Sequence, residues 1–282
     1  MSDVPLHQHA LLSDCGAAAL VTAAGSVDWL CLPRFDSPPV LARLLDDDAG
    51  HFLVAPATDE CSSVWRYRPS GLVLDTTWSC SGGELVVTDA LALGARERGH
   101  ELGRAAPGVL LRRARCTRGT VDVRVEFVPR PEFGLVHPRL SASSPGVVVA
   151  DGGATILVLS TDADLHIADA RATATLELRE GEELTFALEQ ADAWGPGPRR
   201  WKPRKVRRRI DGTEQSWRSW SDLHQSYEGP LRDLVRHCGV VLQGLTYARS
   251  GAVVAAPTRA CRKASAVVAP GTTATPGCAT RA

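Results

Sequence analysis

Between about residues 50 and 190 apolar and polar side chains alternate with a period of two, and that rhythm decides the fold class. In TVDVRVEFV, Val121, Val123, Val125 and Phe127 share one face while Asp122, Arg124 and Glu126 share the other, the pattern of a half-buried antiparallel strand. The same reading applies to 72–78, 84–91, 109–116, 147–151, 154–160, 172–179 and 183–189. The short joins SGG at 81–83 and EGE at 180–182 suit hairpins. Many short strands without helical periods between them predict a mainly β protein, an antiparallel β-sandwich, rather than a βαβ sheet.

The pattern changes after residue 190. A stretch rich in Gly, Pro and Arg, from about 191 to 212, reads as a linker, and its basic run WKPRKVRRR (201–209) as a solvated part of it rather than a phosphate-binding patch. EQSWRSWSDLHQSY (214–227) reads as a helix, and Gly229-Pro230 opens a second. Leu231, Leu234, Val235, Cys238, Val241, Leu242 and Leu245 then recur at three- and four-residue steps, one continuous apolar stripe over 230–246. A lone helix of this kind needs a partner surface: either the sandwich or a helical domain that it begins. From Arg259 to Ala282 the chain contains no carboxylate, Leu or aromatic residue and resembles no folded element. The expected divisions are therefore a sandwich over 1–190, a linker with a helix over 191–228, the start of a helical domain over 229–258, and a structureless tail over 259–282.

Composition narrows function mainly by exclusion. The 282 residues carry 32 basic and 32 acidic side chains, so no global field recruits nucleic acid or an anionic membrane. No segment approaches the roughly 18 to 20 apolar residues of a membrane span, and the N-terminus lacks signal-peptide features. These features predict a cytoplasmic protein with no nucleic-acid or membrane partner. The eight cysteines show no C-x-x-C pair and no zinc spacing; most are expected to be reduced and buried. No cofactor or metal is called for. The run Asp46-Asp47-Asp48 lacks calcium-loop spacing and reads as a solvated turn, and the dispersed histidines remain unassigned.

The run from Leu11 to Pro56, above all G-S-V-D-W-L-C-L-P-R-F-D-S-P from Gly25 to Pro38, resembles the opening of bacterial glycoside hydrolase family 15 proteins, the glucoamylase-like and trehalase-like enzymes. WRYRPSGLVLDTTW (65–78), VTDAL (87–91), PRPEFG (129–134), the W-x-x-W at Trp217 and Trp220, and LTYARSGAVVAAPT (245–258) extend the resemblance over nearly everything before Arg259. It implies an N-terminal β-sandwich, a helical linker and an (α/α)6 barrel that hydrolyses α-glucosidic bonds with inversion, with trehalose or a maltooligosaccharide as substrate. The helix at 230–246 would then be the first barrel helix, and the missing barrel its intramolecular partner. Codons can be chosen for the tail such that a shifted frame, opening within Thr258, reads TSLPESIGGSRTWNYRYPWLRDA, a barrel-like continuation. A one-nucleotide deletion, or an equivalent sequencing error, near the codons for Thr258 and Arg259 is the expectation that follows.

Inverting hydrolysis needs an acid and a base carboxyl roughly 6.5 to 9.5 Å apart. In the resembled family both are barrel glutamates, so no residue here inherits a catalytic role and the chain alone is expected to be inactive. Asp28 and Asp36 read as loop-holding carboxylates. Trp29, Arg34 and Phe35 are the candidate substrate-binding residues, because indole faces and guanidinium forks hold sugar rings; the competing reading makes Trp29 core and Arg34 part of a domain-interface ion pair. The alternative function is a free-standing β-sandwich that binds carbohydrate or protein without chemistry.

Overall fold

A computed structural model describes residues 4–191 and 200–258; the expected tail over 259–282 lies outside the described residues. The strands are β1 His9–Ser13, β2 Ala18–Thr22, β3 Ser26–Cys31, β4 Pro39–Leu41, β5 His51–Pro56, β6 Ser62–Tyr67, β7 Leu74–Ser79 and β8 Gly83–Leu91. They continue as β9 Val109–Val128, β10 Arg139–Ser144, β11 Val147–Gly152, β12 Thr155–Thr161, β13 His166–Ala168, β14 Arg171–Arg179 and β15 Glu183–Ala191, followed by helices α1 Pro203–His224 and α2 Arg232–Gly244. Every strand pairing is antiparallel. The chain is thus mainly β, as its periodicity requires.

The strands form two layers that share β9. Its first half lies between β8 and β15, in a layer ordered β6-β7-β8-β9-β15-β12-β11-β10. Its second half lies between β5 and β14, in a layer ordered β1-β2-β3-β5-β9-β14-β13, with β4 on β3. The sequence reads this strand as two, 109–116 and 120–128, because the bend at 117–119 breaks the alternation. Gly119 adopts φ +67°, and a Cβ there would stand 2.2 Å from the Gly82 carbonyl oxygen, so only glycine allows this close approach.

The EGE join is not a hairpin. β14 and β15 lie end to end along β9, and 180–182 turn the corner from one layer to the other: the Glu180 and Gly181 amides donate to Gly119 and Cys116 carbonyls, and the Cys116 amide donates to Glu182. SGG does close a hairpin, with β7 and β8 in register from Leu74↔Asp89 to Ser79↔Glu84.

Apolar side chains from both layers meet in one core, where Phe52 packs edge-on against Phe127 and Phe186. Arg112 is fully buried within it. Its guanidinium grips Asp89 through two bonds (2.8 and 3.2 Å) and donates across the core to the Phe52 and Gly25 carbonyls. All the cation's main donors are thereby satisfied, the condition under which a buried ion pair is tolerated. Burial pushes the Asp89 carboxyl above its ordinary range, against the pull of Arg112.

α1 corrects the linker reading: the helix starts at Pro203 rather than Glu214, proline being tolerated in a first turn. Val206, Ile210, Thr213 and Trp217 fall on one buried face, and the helix covers the outer side of the β8–β9–β15 region through Val73, Ala90, Val109, Leu111 and Ala187. The basic run is part of this helix rather than of a linker, and most of its side chains still face solvent while a few make specific contacts. Lys205 sits over the Trp201 ring, Arg207 pairs with Glu183 at 2.7 Å, and Arg209 donates to the Leu93 carbonyl. α2 is held differently, with only Val240 and Gly244 buried while Leu231, Leu234, Val235 and Leu242 are exposed. Cysteine usage also departs from expectation. Cys61 and Cys80 form a disulfide; Cys15, Cys31 and Cys116 are buried and Cys238 is exposed.

Candidate functional site at the junction of the sandwich and its second helix

The candidate binding residues sit where the sandwich meets the segment after α2. Trp29, near the end of β3, is completely buried among Leu20, Cys31, Ala42 and Ala49. Its indole N–H donates to the Pro257 carbonyl at 3.0 Å. Phe35 is also buried; its amide donates to the Gly16 carbonyl (2.7 Å), and its ring lies edge-on to Tyr247 at 6.4 Å. Arg34 faces solvent, with its fork closed on Asp36 at 2.8 and 2.9 Å. Its pKa is raised further by that hydrogen bond and the neighbouring charge, with Tyr247 adding a smaller effect. The three residues therefore line one junction. Only Arg34 presents its polar end to solvent, whereas Trp29 and Phe35 fasten the loop to 247–257.

The attachment is built from short polar contacts. Ser13 Oγ donates to the Gly244 carbonyl (2.6 Å), the Ala248 amide donates to the Cys15 carbonyl (2.9 Å), and the 245–254 turn closes on itself through Tyr247 to Ala252 and Val254 to Leu245. Beneath it lie two buried carboxylates. Asp14 accepts the Gly16 and Ala17 amides (2.9 and 2.6 Å), and Glu97 accepts those of Gly94, Gly103 and Ala105. Burial pushes the Asp14 carboxyl up to about 6, opposed by its amide donors and reinforced by the charge of Glu97. Burial and the charge of Asp14 also push the Cys15 thiol up, which makes it a poor nucleophile.

The other acidic positions are spread out. Asp28 is buried in β3 and accepts a short hydrogen bond from the Ser26 hydroxyl. Asp46 accepts the Asp48 amide in the 46–49 turn. Among the described residues no group of three or more His, Cys, Asp or Glu side chains is placed to hold a metal ion. No helix there is long and apolar enough to cross a membrane. Sequence reasoning missed that β1, β3, β5 and β9 bring His9, Asp28, His51 and Glu126 to one face, since residues so far apart in the chain give no local signal.

The fold and this junction define a class: a β-sandwich with an attached helical segment whose apolar side is uncovered. Comparison with known proteins sharpens this, since the trehalase-like N-terminal family matches residues 1–193. The chain belongs to that family. It is 33% identical over 270 residues to a trehalase of Mycolicibacterium smegmatis, covering 90% of this chain and 40% of that protein. A trehalase of Mycobacterium tuberculosis is 32% identical over 270 residues (90% and 39%), and one of Thermoplasma volcanium 22% identical over 269 residues (90% and 39%). The chain thus spans about 40% of the length of the curated relatives it matches.

Proposed function

We propose that this chain is the N-terminal portion of a family 15 glycoside hydrolase of the trehalase type, whose substrate is trehalose and whose catalytic carboxyls lie in a barrel beyond the residues described. The observation that carries the reading is that 90% of this chain aligns with trehalases while covering 40% of their length. The exposed stripe of α2 supports it. Leu231, Leu234, Val235 and Leu242 are between 44% and 73% exposed on one short helix, and apolar surface grouped in this way marks an interface. The barrel is the proposed occupant. α2 serves as its first helix, and 1–190 as the sandwich against which it rests. Arg34 then contributes to the substrate mouth, held by Asp36, while Trp29 and Phe35 position the loop that carries it. The chain by itself is inactive, because neither barrel glutamate falls within the matched segment.

The tail reading belongs to the same proposal: 259–282 is an out-of-frame translation. The test is to resequence the DNA from the codon for Ala255 onward, express the product of any long shifted frame, and assay trehalose hydrolysis beside the present chain. Hydrolysis by the longer protein and none by the chain is expected. A tail with no open shifted frame removes the frameshift, and a longer protein inert on trehalose removes the substrate. For the site, Arg34→Ala in the long form should raise KM for trehalose; unchanged KM with normal folding removes Arg34 from the mouth.

A further inference from the structure

A second polar site lies on the outer face of the β1–β2–β3–β5–β9 layer. A groove of about 900 Å³ runs over this face, lined in part by 43–48. Its carboxylates, Asp28, Asp46, Asp47, Asp48, Asp59 and Glu126, outnumber its guanidinium groups, Arg43 and Arg124. Anionic ligands are therefore disfavoured. Leu53, Ala55 and the edge of Trp78 supply apolar wall.

The polar groups are unevenly satisfied. The His9 side chain is 1% exposed. Its Nδ1 lies 3.1 Å from the Pro5 carbonyl, to which it can only donate, so in the neutral ring Nε2 is an acceptor. Nε2 has no hydrogen-bond partner and lies 3.7 Å from Asp28 Oδ2, beyond hydrogen-bonding reach. Hydrogen-bonding capacity on this pair is therefore left unused. On the same face, His51 Nε2 meets Glu126 Oε2 at 3.1 Å while its Nδ1 has no partner, and Arg124 Nε, also without a hydrogen bond, stands 3.6 Å from Glu126 Oε1. Each buried, unsatisfied polar group carries an uncompensated desolvation cost, which a ligand of complementary pattern recovers.

The geometry points to a neutral polyhydroxylated ligand, a sugar, bound in this groove: adjacent hydroxyls donate to Asp28 Oδ2, His9 Nε2 and the Glu126 carboxylate, other hydroxyls accept from Arg43 and Arg124, and the ring's C–H face rests on Leu53, Ala55 and Trp78. A simple cation would engage the carboxylates but leave the two guanidinium groups and the apolar wall unused. This site is separate from the Arg34 junction and needs no barrel, so it goes beyond the reading above.

The test is isothermal titration of the full chain with trehalose, glucose and Mn²⁺, with Asp28→Asn and Glu126→Gln beside it. Saturable binding of at least one sugar is expected, weakened about tenfold or more by each substitution, with Leu234→Gln on α2 leaving it unchanged. Because Asp28 also accepts from Ser26, Glu126→Gln decides the matter if Asp28→Asn fails to fold. Binding of Mn²⁺ without sugar, no saturable sugar binding, or sugar binding indifferent to Glu126→Gln overturns the site. The trehalase reading falls separately: a chain that binds no sugar beside a longer protein that hydrolyses trehalose sinks the groove alone.

Discussion

α1 and α2 follow one another in the chain, yet they meet the sandwich in opposite ways. α1 lays Val206, Ile210 and Trp217 onto apolar strand positions and leaves its charged residues outside. α2 touches the molecule mainly through Val240 and Gly244, and turns most of its apolar stripe outward. The two are similarly amphipathic by sequence, so periodicity cannot say which surface a helix covers. What distinguishes them is the sandwich: its outer face offers α1 a matching patch, whereas α2 finds only the narrow shelf formed by Ser13, Cys15, Leu72 and Trp217.

This contrast can be broken at several points. The largest effect is expected from Ile210→Ala, which opens a cavity under α1 and should cost about 2–5 kcal/mol in denaturant-monitored unfolding; a loss below about 1 kcal/mol would mean that α1 is not docked as described. pH should act next, through the shelf under α2. Asp14 has a folded value of about 6 against an ordinary 3.8, so its contribution is fully present below 3.8 and is lost as pH rises through about 6. The shift corresponds to a loss on the order of 3 kcal/mol. Urea midpoints across that window should fall for the parent and lose this component in Asp14→Asn.

A smaller effect is expected where α2 meets the shelf. A Cβ on Gly244 would stand 2.6 Å from Leu72 Cδ1, so Gly244→Ala should cost about 1–3 kcal/mol by overpacking and raise hydrogen exchange in α2 before α1. Smallest of all, Leu234→Gln on the uncovered stripe should move stability by no more than about 0.5 kcal/mol while reducing self-association measured by light scattering. A large loss of stability would show that the stripe is already covered.

The legible parts of the fold are those with one wet and one dry face. β7, the first half of β8, β14 and the second half of β9 alternate in burial, so period two reports them. β2, β3 and β5 are buried along their whole length because the loops and groove edges of one side and the core of the other both enclose them, which erases alternation. The start of α1 was hidden for a different reason: its first turns expose Arg204, Lys205, Arg207, Arg208 and Asp211, and Val206 and Ile210 alone make a sparse stripe. At the junction, Trp29, Arg34 and Phe35 are legible as residue types and do converge on one place. Whether each faces inward or outward depends on Tyr247 and Pro257, more than two hundred residues away, and no local pattern encodes that.

The shared strand β9 has a consequence for how the protein is made. Its partners β5 and β8 precede it, while β14 and β15 follow it, so one layer cannot close around β9 until Arg179, and the other until Ala191, has left the ribosome. A nascent chain halted before Arg171 holds one long strand with one edge of each half unpaired, a state prone to pairing with a neighbour. The contacts are long-range, and such topologies fold slowly. Synthesis rate through 129–191 should therefore govern yield more strongly than the same delay placed in α1 or α2.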